Sequence, residues 1–156
     1  MKNKVDRILE HLLVTLFTIM LLSVLWQVFS RFLLKAPSTI TDEISSYGLI
    51  WVGLLGAAYA TGKKLHLAID LLPDRLVSKR KILFDGFVYM AVALFSLTVL
   101  VIGGSRLCWI TFTLGQKSAA LEIPLGFVYL VLPLSGLLIL YYCFLHLKSI
   151  RPQIED

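Results

Sequence analysis

Charged residues are scarce in this chain of 156 amino acids. Asp, Glu, Lys and Arg together make up 16% of the sequence, against 58% for hydrophobic residues, and the mean hydropathy is +0.83. A soluble domain of this length leaves much of its surface in water and cannot bury so much apolar area. The composition therefore excludes an ordinary soluble domain and indicates a membrane protein.

Cysteine is nearly absent as well, with only Cys108 and Cys143 in the chain. We predict them at opposite ends of two neighbouring helices, more than ~20 Å apart, whereas a disulfide needs Cα atoms within ~7 Å. The sequence has no CxxC pair, which excludes a four-helix thiol oxidase. His, Cys and carboxylate residues also show no metal-ligand spacing. We therefore predict no catalytic, cofactor or metal site, and no enzyme.

Four long apolar runs dominate the sequence. Each is close to the ~20 residues that a helix needs to cross a ~30 Å hydrocarbon core. The runs are continuously apolar rather than alternating, and backbone groups in lipid must bond within their own segment, so we expect helices. The first run is too long for a signal peptide and lacks a small-x-small cleavage pattern, so we expect it to be retained. The prediction is an all-α integral membrane four-helix bundle, one membrane domain over residues 1–156, with helices at about 12–30, 44–62, 82–105 and 123–147.

Basic residues are distributed unevenly between the ends of these predicted helices. With the N-terminus inside, the inner segments hold eleven Lys and Arg residues and the outer segments hold four. This positive-inside bias predicts that both termini are cytoplasmic. It also accounts for the net charge of +5. Nucleic acid is excluded as a partner, because the basic residues flank membrane helices instead of forming an independent domain.

The segment between the second and third runs, residues 63–81, combines basic residues with apolar ones at helical spacing. We expect an amphipathic interfacial element, held by membrane lipid and by its own apolar face. His66 and Asp70 lie four residues apart, close enough to bond on a helix. The pair is interpreted as a local hydrogen bond, an ion relay or a subunit contact. The apolar positions are Leu65, Ile69, Leu72 and Leu76.

An acidic pair, Asp42 and Glu43, leads directly into the second run. Thr41 is a plausible N-cap, and both acids would then lie in the first turn, where the helix dipole favours negative charge. Alternatively, Glu43 pairs with a cation such as Arg31 or Arg106, or with a partner subunit. The sequence leaves these interpretations open.

Small residues recur along the second predicted helix. Gly53, Ala57 and Ala60 follow one another at spacings of three and four residues, with Gly56 beside them. Such a stripe permits close helix approach in a membrane. We expect this helix to pack against protein over much of its surface.

The last loop and the fourth run carry a turn signal and two prolines. Gly115 permits a turn, and Pro124 suits the first turn of a helix, where its missing N–H costs nothing. Pro133 lies inside the fourth run and should kink it. The kink is interpreted as a packing bend or as an ion site in a broken helix.

In order and spacing these features resemble the small membrane subunit of tripartite ATP-independent periplasmic (TRAP) transporters, over about residues 20 to 135. Departures from the usual pattern are Ala119, where proline is more frequent, and Ile40 or Thr41, where a tryptophan often precedes the acids. The resemblance rests on Gln27 and Arg31, on Asp42-Glu43-x3-Tyr47-x3-Trp51, on Gly56-Ala57-Ala58, on His66-x2-Ile69-Asp70, and on Gly115-Gln116-x-Ser118-x-Ala120-Leu121-x-Ile123-Pro124 with Tyr129 and Pro133.

The resemblance implies a non-catalytic subunit of the bacterial inner membrane. In that family a large multi-span membrane subunit moves the substrate by an elevator motion, usually with sodium. A periplasmic substrate-binding protein delivers a carboxylate such as a C4-dicarboxylate, a sugar acid or sialic acid, and the small subunit enlarges the stationary scaffold. The residues expected to serve helix packing or subunit contact are Arg31, Asp42, Glu43, Tyr47, Trp51, Gly56, His66, Asp70, Gln116 and Pro124.

The rival interpretation is a self-contained small four-helix proton-coupled carrier. Such a carrier needs a titratable acid deep in the bilayer, whereas Glu43, Asp85 and Glu122 all lie near the ends of the predicted helices. Asp85 is shallow enough to reach toward Arg80 or Lys81, the alternative being a buried functional acid. The positions of the acids favour the subunit over the carrier.

Overall fold

The computed structural model describes residues 2–36, 38–63 and 78–150. His66 and Asp70, with most of the expected amphipathic segment, lie outside these ranges, so that prediction stays open. The described chain is all-α, as predicted. Its elements are α1 (Lys2–Phe32), α2 (Thr39–Gly62), α3 (Ser78–Phe95), a π-helical segment (Ser96–Gly103), α4 (Gly104–Thr113), α5 (Leu125–Tyr129) and α6 (Val131–Ile150).

Four helical stretches in the described ranges are long and apolar enough to cross a membrane, which confirms the four-helix prediction. The third stretch runs through α3, the π-helical segment and α4 without a break, and the fourth joins α5 to α6. Their bounds are Lys2–Phe32, Thr39–Gly62, Phe84–Thr113 and Leu125–Ser149.

The predicted start of the first helix, residue 12, is wrong by ten residues, since α1 begins at Lys2. Hydropathy marks the part of a helix that lipid would cover, not the point where the hydrogen-bonded backbone begins. Residues 2–11 are polar enough to fall below that signal, yet Asp6 and Leu9 are buried against the bundle. These contacts account for a helix that extends beyond its apolar run.

Helix α6 is the centre of the bundle. It packs against α2 on one side and against α3 and the π-helical segment on another, while α1 packs on α2. One core cluster joins Ala58 of α2 to Ile139 and Cys143 of α6 and to residues of the third span. A second cluster joins Leu9 of α1 to Tyr142 of α6. The order of packing is therefore α1, α2, α6 and the third span.

The third and fourth spans approach each other closely around the π-helical segment. A Cβ on Gly104 would lie 2.7 Å from Cβ of Leu132, and a Cβ on Gly136 would lie 2.8 Å from Cγ2 of Val101. The buried Ser96 hydroxyl also donates to the Gly136 carbonyl at 2.9 Å. Small residues permit this contact, because in a membrane helix association depends on close packing and on interhelical hydrogen bonds.

The fourth span is interrupted at Leu130, between α5 and α6, rather than at the proline itself. Pro133 lies three residues further on and has no N–H for the helix ladder. The backbone regains its hydrogen bonds from Leu134, whose N–H donates to the Leu130 carbonyl at 3.3 Å. Pro133 thus accounts for a gap in the hydrogen-bond ladder at the start of α6, and the expected kink stays a prediction.

Candidate functional site

The Glu43 carboxylate, in the first part of α2, binds the loop that joins the third and fourth spans. It accepts hydrogen bonds from the Ser118 hydroxyl at 2.7 Å and from the N–H groups of Ala120 and Leu121, each at 2.9 Å. Hydrogen bonds to a carboxylate are shorter and stronger than those between neutral groups. Glu43 and these three donors are called the Glu43 site below.

A short hairpin in residues 114–124 presents the donors of the Glu43 site. Gly115 has φ +61°, which the turn requires and glycine adopts at little cost. The Ser118 N–H donates to the Ile123 carbonyl at 2.9 Å, and the Leu125 N–H donates to the Gln116 carbonyl at 2.9 Å. With both arms of the hairpin fixed in this way, its tip turns its free N–H groups toward Glu43.

Helix α2 begins earlier than predicted, so the predicted N-cap, Thr41, is wrong. The N-cap is Ser38, whose hydroxyl accepts from the Thr41 N–H at 3.5 Å. Asp42 then lies in the first turn, as expected from the helix dipole. Threonine is a residue type that often caps helices, but the helical backbone already begins at Thr39. The Ser38 hydroxyl therefore caps the helix instead of Thr41.

The two neighbouring acids bind in different directions. The Gln27 amide of α1 donates to Asp42 Oδ1 at 2.7 Å, so Asp42 connects α2 to α1, while Glu43 connects α2 to the 114–124 loop. Successive residues on a helix point about 100° apart, which separates the two carboxylates. In the described ranges the hydrogen-bond donors of Glu43 are loop groups, not the cations Arg31 or Arg106.

Trp51 connects α2 to the interruption in the fourth span. Its indole N–H donates to the Val128 carbonyl at 3.1 Å, and Val128 is the fourth residue of the short helix α5. Tyr47, one turn before Trp51, lines a groove of about 330 Å³ between α1, α2 and the loop. The acidic pair, Tyr47 and Trp51 thus form one continuous set of contacts along α2.

Other residues expected in the site lie apart from it or take part through the backbone alone. Arg31 is exposed in the last turn of α1. The exposed Gln116 bonds through its backbone, its N–H donating to the Thr111 carbonyl at 3.1 Å. Pro124 is the N-cap of α5 and not a first-turn residue, so that placement is wrong by one position.

The small-residue stripe of α2 does not pack inside this chain. A Cβ on Gly53 or on Gly56 would meet no heavy atom within 4 Å, and Ala57 is exposed. These residues therefore do not bring two helices of this bundle together, and their expected contact with a partner subunit stays a prediction. Periodicity correctly placed them on one face but carried no information about which way that face points.

A second polar cluster, at the opposite end of the bundle, was missed from the sequence. The buried Asp6 of α1 accepts from the Tyr142 hydroxyl at 2.6 Å and lies 3.7 Å from Nζ of Lys63. The His146 ring stacks on Tyr89 with centroids 5.0 Å apart. Asp6 and Tyr142 are 136 residues apart, and no spacing pattern connects them.

Among the residues that the structure describes, no group of three or more His, Cys, Asp or Glu side chains is placed to hold a metal ion. Both cysteines are free and buried. The polar contacts described here join helices and loops of the chain to each other.

A family comparison decides what kind of protein carries these contacts. The family described as "Tripartite ATP-independent periplasmic transporters, DctQ component" matches residues 20–151. The chain belongs to the DctQ family. The whole Glu43 site lies within the matched residues of this DctQ-family chain, whereas Asp6 precedes them.

Three relatives are named as TRAP transporter small permease proteins. One, from Haemophilus influenzae, is 27% identical over 86% of this chain and 82% of its own length. The sialic acid small permease SiaQ of Vibrio cholerae is 26% identical over 84% of this chain and 79% of its own. The C4-dicarboxylate small permease DctQ of Rhodobacter capsulatus is 29% identical over 64% of this chain and 44% of its own. The DctQ-family chain is therefore a small permease subunit of a TRAP transporter and not an enzyme.

Proposed function

We propose that this small permease enlarges the stationary membrane scaffold of its transporter. A large multi-span membrane subunit would move the substrate past it by an elevator motion, driven by an ion gradient, usually of sodium. In this arrangement the four helices resist displacement and transport nothing themselves. The bundle is held at both ends by polar contacts between its elements, as a scaffold requires.

The observation that carries this proposal is the absence of charge from the middle of every span. Residues 12–30, 44–62, 86–105 and 123–145 contain no Asp, Glu, Lys, Arg or His. A self-contained proton-coupled carrier would need such a residue in the membrane, where ionisable groups mark ion and substrate pathways. Substrate and coupling ion therefore belong to the partner subunit.

The outward face of α2 is the surface that we propose for docking the large subunit. Exposed positions on α1 carry large side chains such as Phe17 and Leu25, which suit lipid. On α2 the outward positions include Gly53, Gly56 and Ala57, which suit the close approach of another helix. Glu43, Tyr47 and Trp51 would serve this interface indirectly, by fixing the orientation of α2.

The Gly56→Leu variant tests this docking face. Because a Cβ at Gly56 meets no atom of the chain within 4 Å, the isolated subunit should keep its unfolding temperature while co-purification of the large subunit falls severalfold. Gly86→Leu is the matched control, since Gly86 is equally open but lies on α3. Normal recovery of the complex with Gly56→Leu would exclude this face.

The orientation in the membrane is proposed from the charge distribution, and the substrate class is proposed from the names of relatives. The excess of basic residues in the segments that we assign to the inside supports cytoplasmic termini and a bacterial inner membrane location. Two relatives are named for sialic acid and for C4-dicarboxylates. These are carboxylates, so we propose a carboxylate substrate delivered by a periplasmic substrate-binding protein.

Reconstitution into liposomes tests the scaffold role. The large subunit would be incorporated with and without this chain, and ion-gradient-driven uptake would be measured with the binding protein outside. We expect uptake by the large subunit alone to fall at least about tenfold, with substrate affinity unchanged. Full uptake without this chain would show that the scaffold is dispensable. Uptake by this chain alone would support the carrier instead.

A further inference from the structure

The two helices at the edges of the bundle, α1 and the third span, each carry a charged residue on an exposed face. Glu10 is exposed on α1, and Arg106 is exposed on α4. Both stand among exposed apolar side chains, such as those of Ile8 and Leu107. A charged side chain on a lipid-facing position has to reach a membrane surface. With the N-terminus inside, as proposed above, Glu10 marks the inner surface on α1 and Arg106 marks the outer surface on the third span.

Contacts between neighbouring helices show which residues are level along the axis of the bundle. On α2, a Cβ added to Gly48 would lie 3.3 Å from Cβ of Met20 of α1. Within one turn of Gly48, the Trp51 indole donates to the Val128 carbonyl of the fourth span at 3.1 Å. Met20 and Val128 are therefore level to within about one turn, or about 5.4 Å.

The same comparison extends to the third span. A Cβ on Gly104 would lie 2.7 Å from Cβ of Leu132. The third and fourth spans run in opposite directions, so Val128, four residues before Leu132, is level with about residue 108. Met20 is then level with about residue 108 as well. Arg106 is two residues nearer the inside and is level with about residue 18 of α1.

These heights do not fit a bundle that stands upright in the membrane. Residue 18 lies eight residues beyond Glu10, so Arg106 would be only about 12 Å further out at about 1.5 Å per residue. The hydrocarbon core is about 30 Å thick. The difference of about 18 Å exceeds what the two side chains can span by reaching outward, so one charge would remain in the hydrocarbon.

The exposed apolar residues show the same offset between the two edges. The outer end of α1 remains apolar on its exposed face, where Phe29 and Phe32 are 42% and 71% exposed. The third span is instead apolar at its inner end, where Phe87 is 71% exposed. Relative to the bundle, the lipid-facing surface thus extends further outward on α1 and further inward on the third span.

We propose that the bundle crosses the membrane obliquely, with the third span displaced outward, and that Arg106 and Trp109 bind the outer layer of lipid headgroups. The packing order α1, α2, α6 and third span contains three interhelical distances. At about 9 Å each they place the edges up to about 27 Å apart, so an inclination of about 30° moves the third span outward by about 14 Å. Added to the offset along the helices, this displacement brings both charges to a membrane surface.

The chemistry of Arg106 and Trp109 suits a headgroup layer. An arginine side chain binds phosphate oxygens through charge-assisted hydrogen bonds. Trp109 follows three residues later on the same face and is 74% exposed. Its indole N–H has no hydrogen-bond partner among the residues that the structure describes, and tryptophan is enriched where one part of the ring is in hydrocarbon and its N–H is in the polar layer.

Spin labels on single cysteines test the inclination, in the full-length chain in vesicles of phosphatidylcholine and phosphatidylglycerol. Ile19→Cys and Leu107→Cys are a matched pair, because both residues are exposed and level in the bundle. Leu94→Cys, also exposed, lies near the middle of the third span. Both native cysteines are buried, so the unaltered chain is the labelling blank. Accessibility to oxygen and to a nickel chelate measures the depth of each label.

We expect the labels at residues 19 and 94 to lie near the centre of the bilayer. The label at residue 107 should be shallower by about 14 Å, the displacement given by the inclination. Equal depths at residues 19 and 107, or a label at residue 94 much nearer the surface than the one at residue 19, would overturn the proposal. The inclination is independent of the scaffold role, because depth is measured without transport.

A double variant tests the headgroup contact. Arg106→Leu with Trp109→Leu changes only exposed side chains and should let the outer end of the third span sink, moving the label at Leu107→Cys deeper by about one helical turn, or about 5 Å. Lys117→Leu is the control, since it removes an exposed cation of the neighbouring loop and should leave the depth unchanged. An unchanged depth in the double variant, or an equal shift with Lys117→Leu, would contradict binding of headgroups by Arg106 and Trp109.

Discussion

The two ends of the bundle are held by polar contacts of different kinds. At one end, the Glu43 carboxylate binds a loop through one hydroxyl and two backbone N–H groups. At the other end, side chains bind side chains across helices, with Asp6 accepting from Tyr142 at 2.6 Å and lying 3.7 Å from Lys63. The first end shapes a loop, and the second positions whole helices.

This difference predicts which substitutions lower the stability of the whole bundle and which change only the loop. Removal of a contact at the Asp6 end should lower the stability of the bundle, because α1 and α2 meet α6 there. Removal of Glu43 should change the loop and leave the helices in place. Hydrogen exchange separates the two effects, since local openings and global unfolding expose different amides.

The largest effect is expected from Gly62→Leu, at the Asp6 end. A Cβ on Gly62 would lie 2.7 Å from Cε1 and Cζ of the buried Tyr142 ring, so the ring must shift from the position in which its hydroxyl donates to Asp6. Overpacking of this kind costs about 1–3 kcal/mol, and the broken hydrogen bond adds to the cost. Thermal unfolding in detergent should show a clearly lower midpoint. Gly86→Leu, in open space on α3, is the control, and an equal shift there would argue against a specific contact.

A smaller effect is expected from Tyr142→Phe, which keeps the ring and removes its hydroxyl. Asp6 then loses the donor at 2.6 Å, and a buried acceptor left without its partner costs about 1–3 kcal/mol. Amides in the first turns of α1 should exchange faster. The neighbouring Tyr141→Phe is the matched control and should change little. If both variants behave alike, the hydroxyl of Tyr142 does not hold α1.

The same difference separates what the sequence could predict from what it could not. The spans were predictable because hydropathy is additive along the chain. The acidic pair was noticed because two charges beside an apolar run are costly, yet the partners of Glu43 lie 75 to 78 residues away. Their residues were part of the family resemblance, but spacing alone could not join them to the carboxylate.

The Asp6 end gave no such signal. Asp6 lies in a polar stretch before the first apolar run, which the sequence gives no reason to place inside the bundle. Tyr142 lies among apolar residues of the fourth run. Only the packing of α1 and α6 against α2 brings them together. The direction in which Gly56 faces could not be predicted for a related reason, because periodicity assigns residues to a face and packing decides what that face meets.

The smallest effect on the stability of the bundle is expected from Glu43→Gln. This variant tests whether the contacts at the Glu43 end hold only the loop. The amide keeps the shape of the carboxylate, but its NH2 group faces donors and its remaining oxygen carries no charge. We expect the Ala120 and Leu121 amides to exchange severalfold faster, while the unfolding midpoint of the helices is unchanged. The matched control is Asp42→Asn, which removes the same charge from the adjacent position and keeps an oxygen that can accept from Gln27. If Asp42→Asn also releases the loop amides, the negative charge of this helix end holds the loop; if it does not, the loop is held by the three hydrogen bonds that Glu43 accepts.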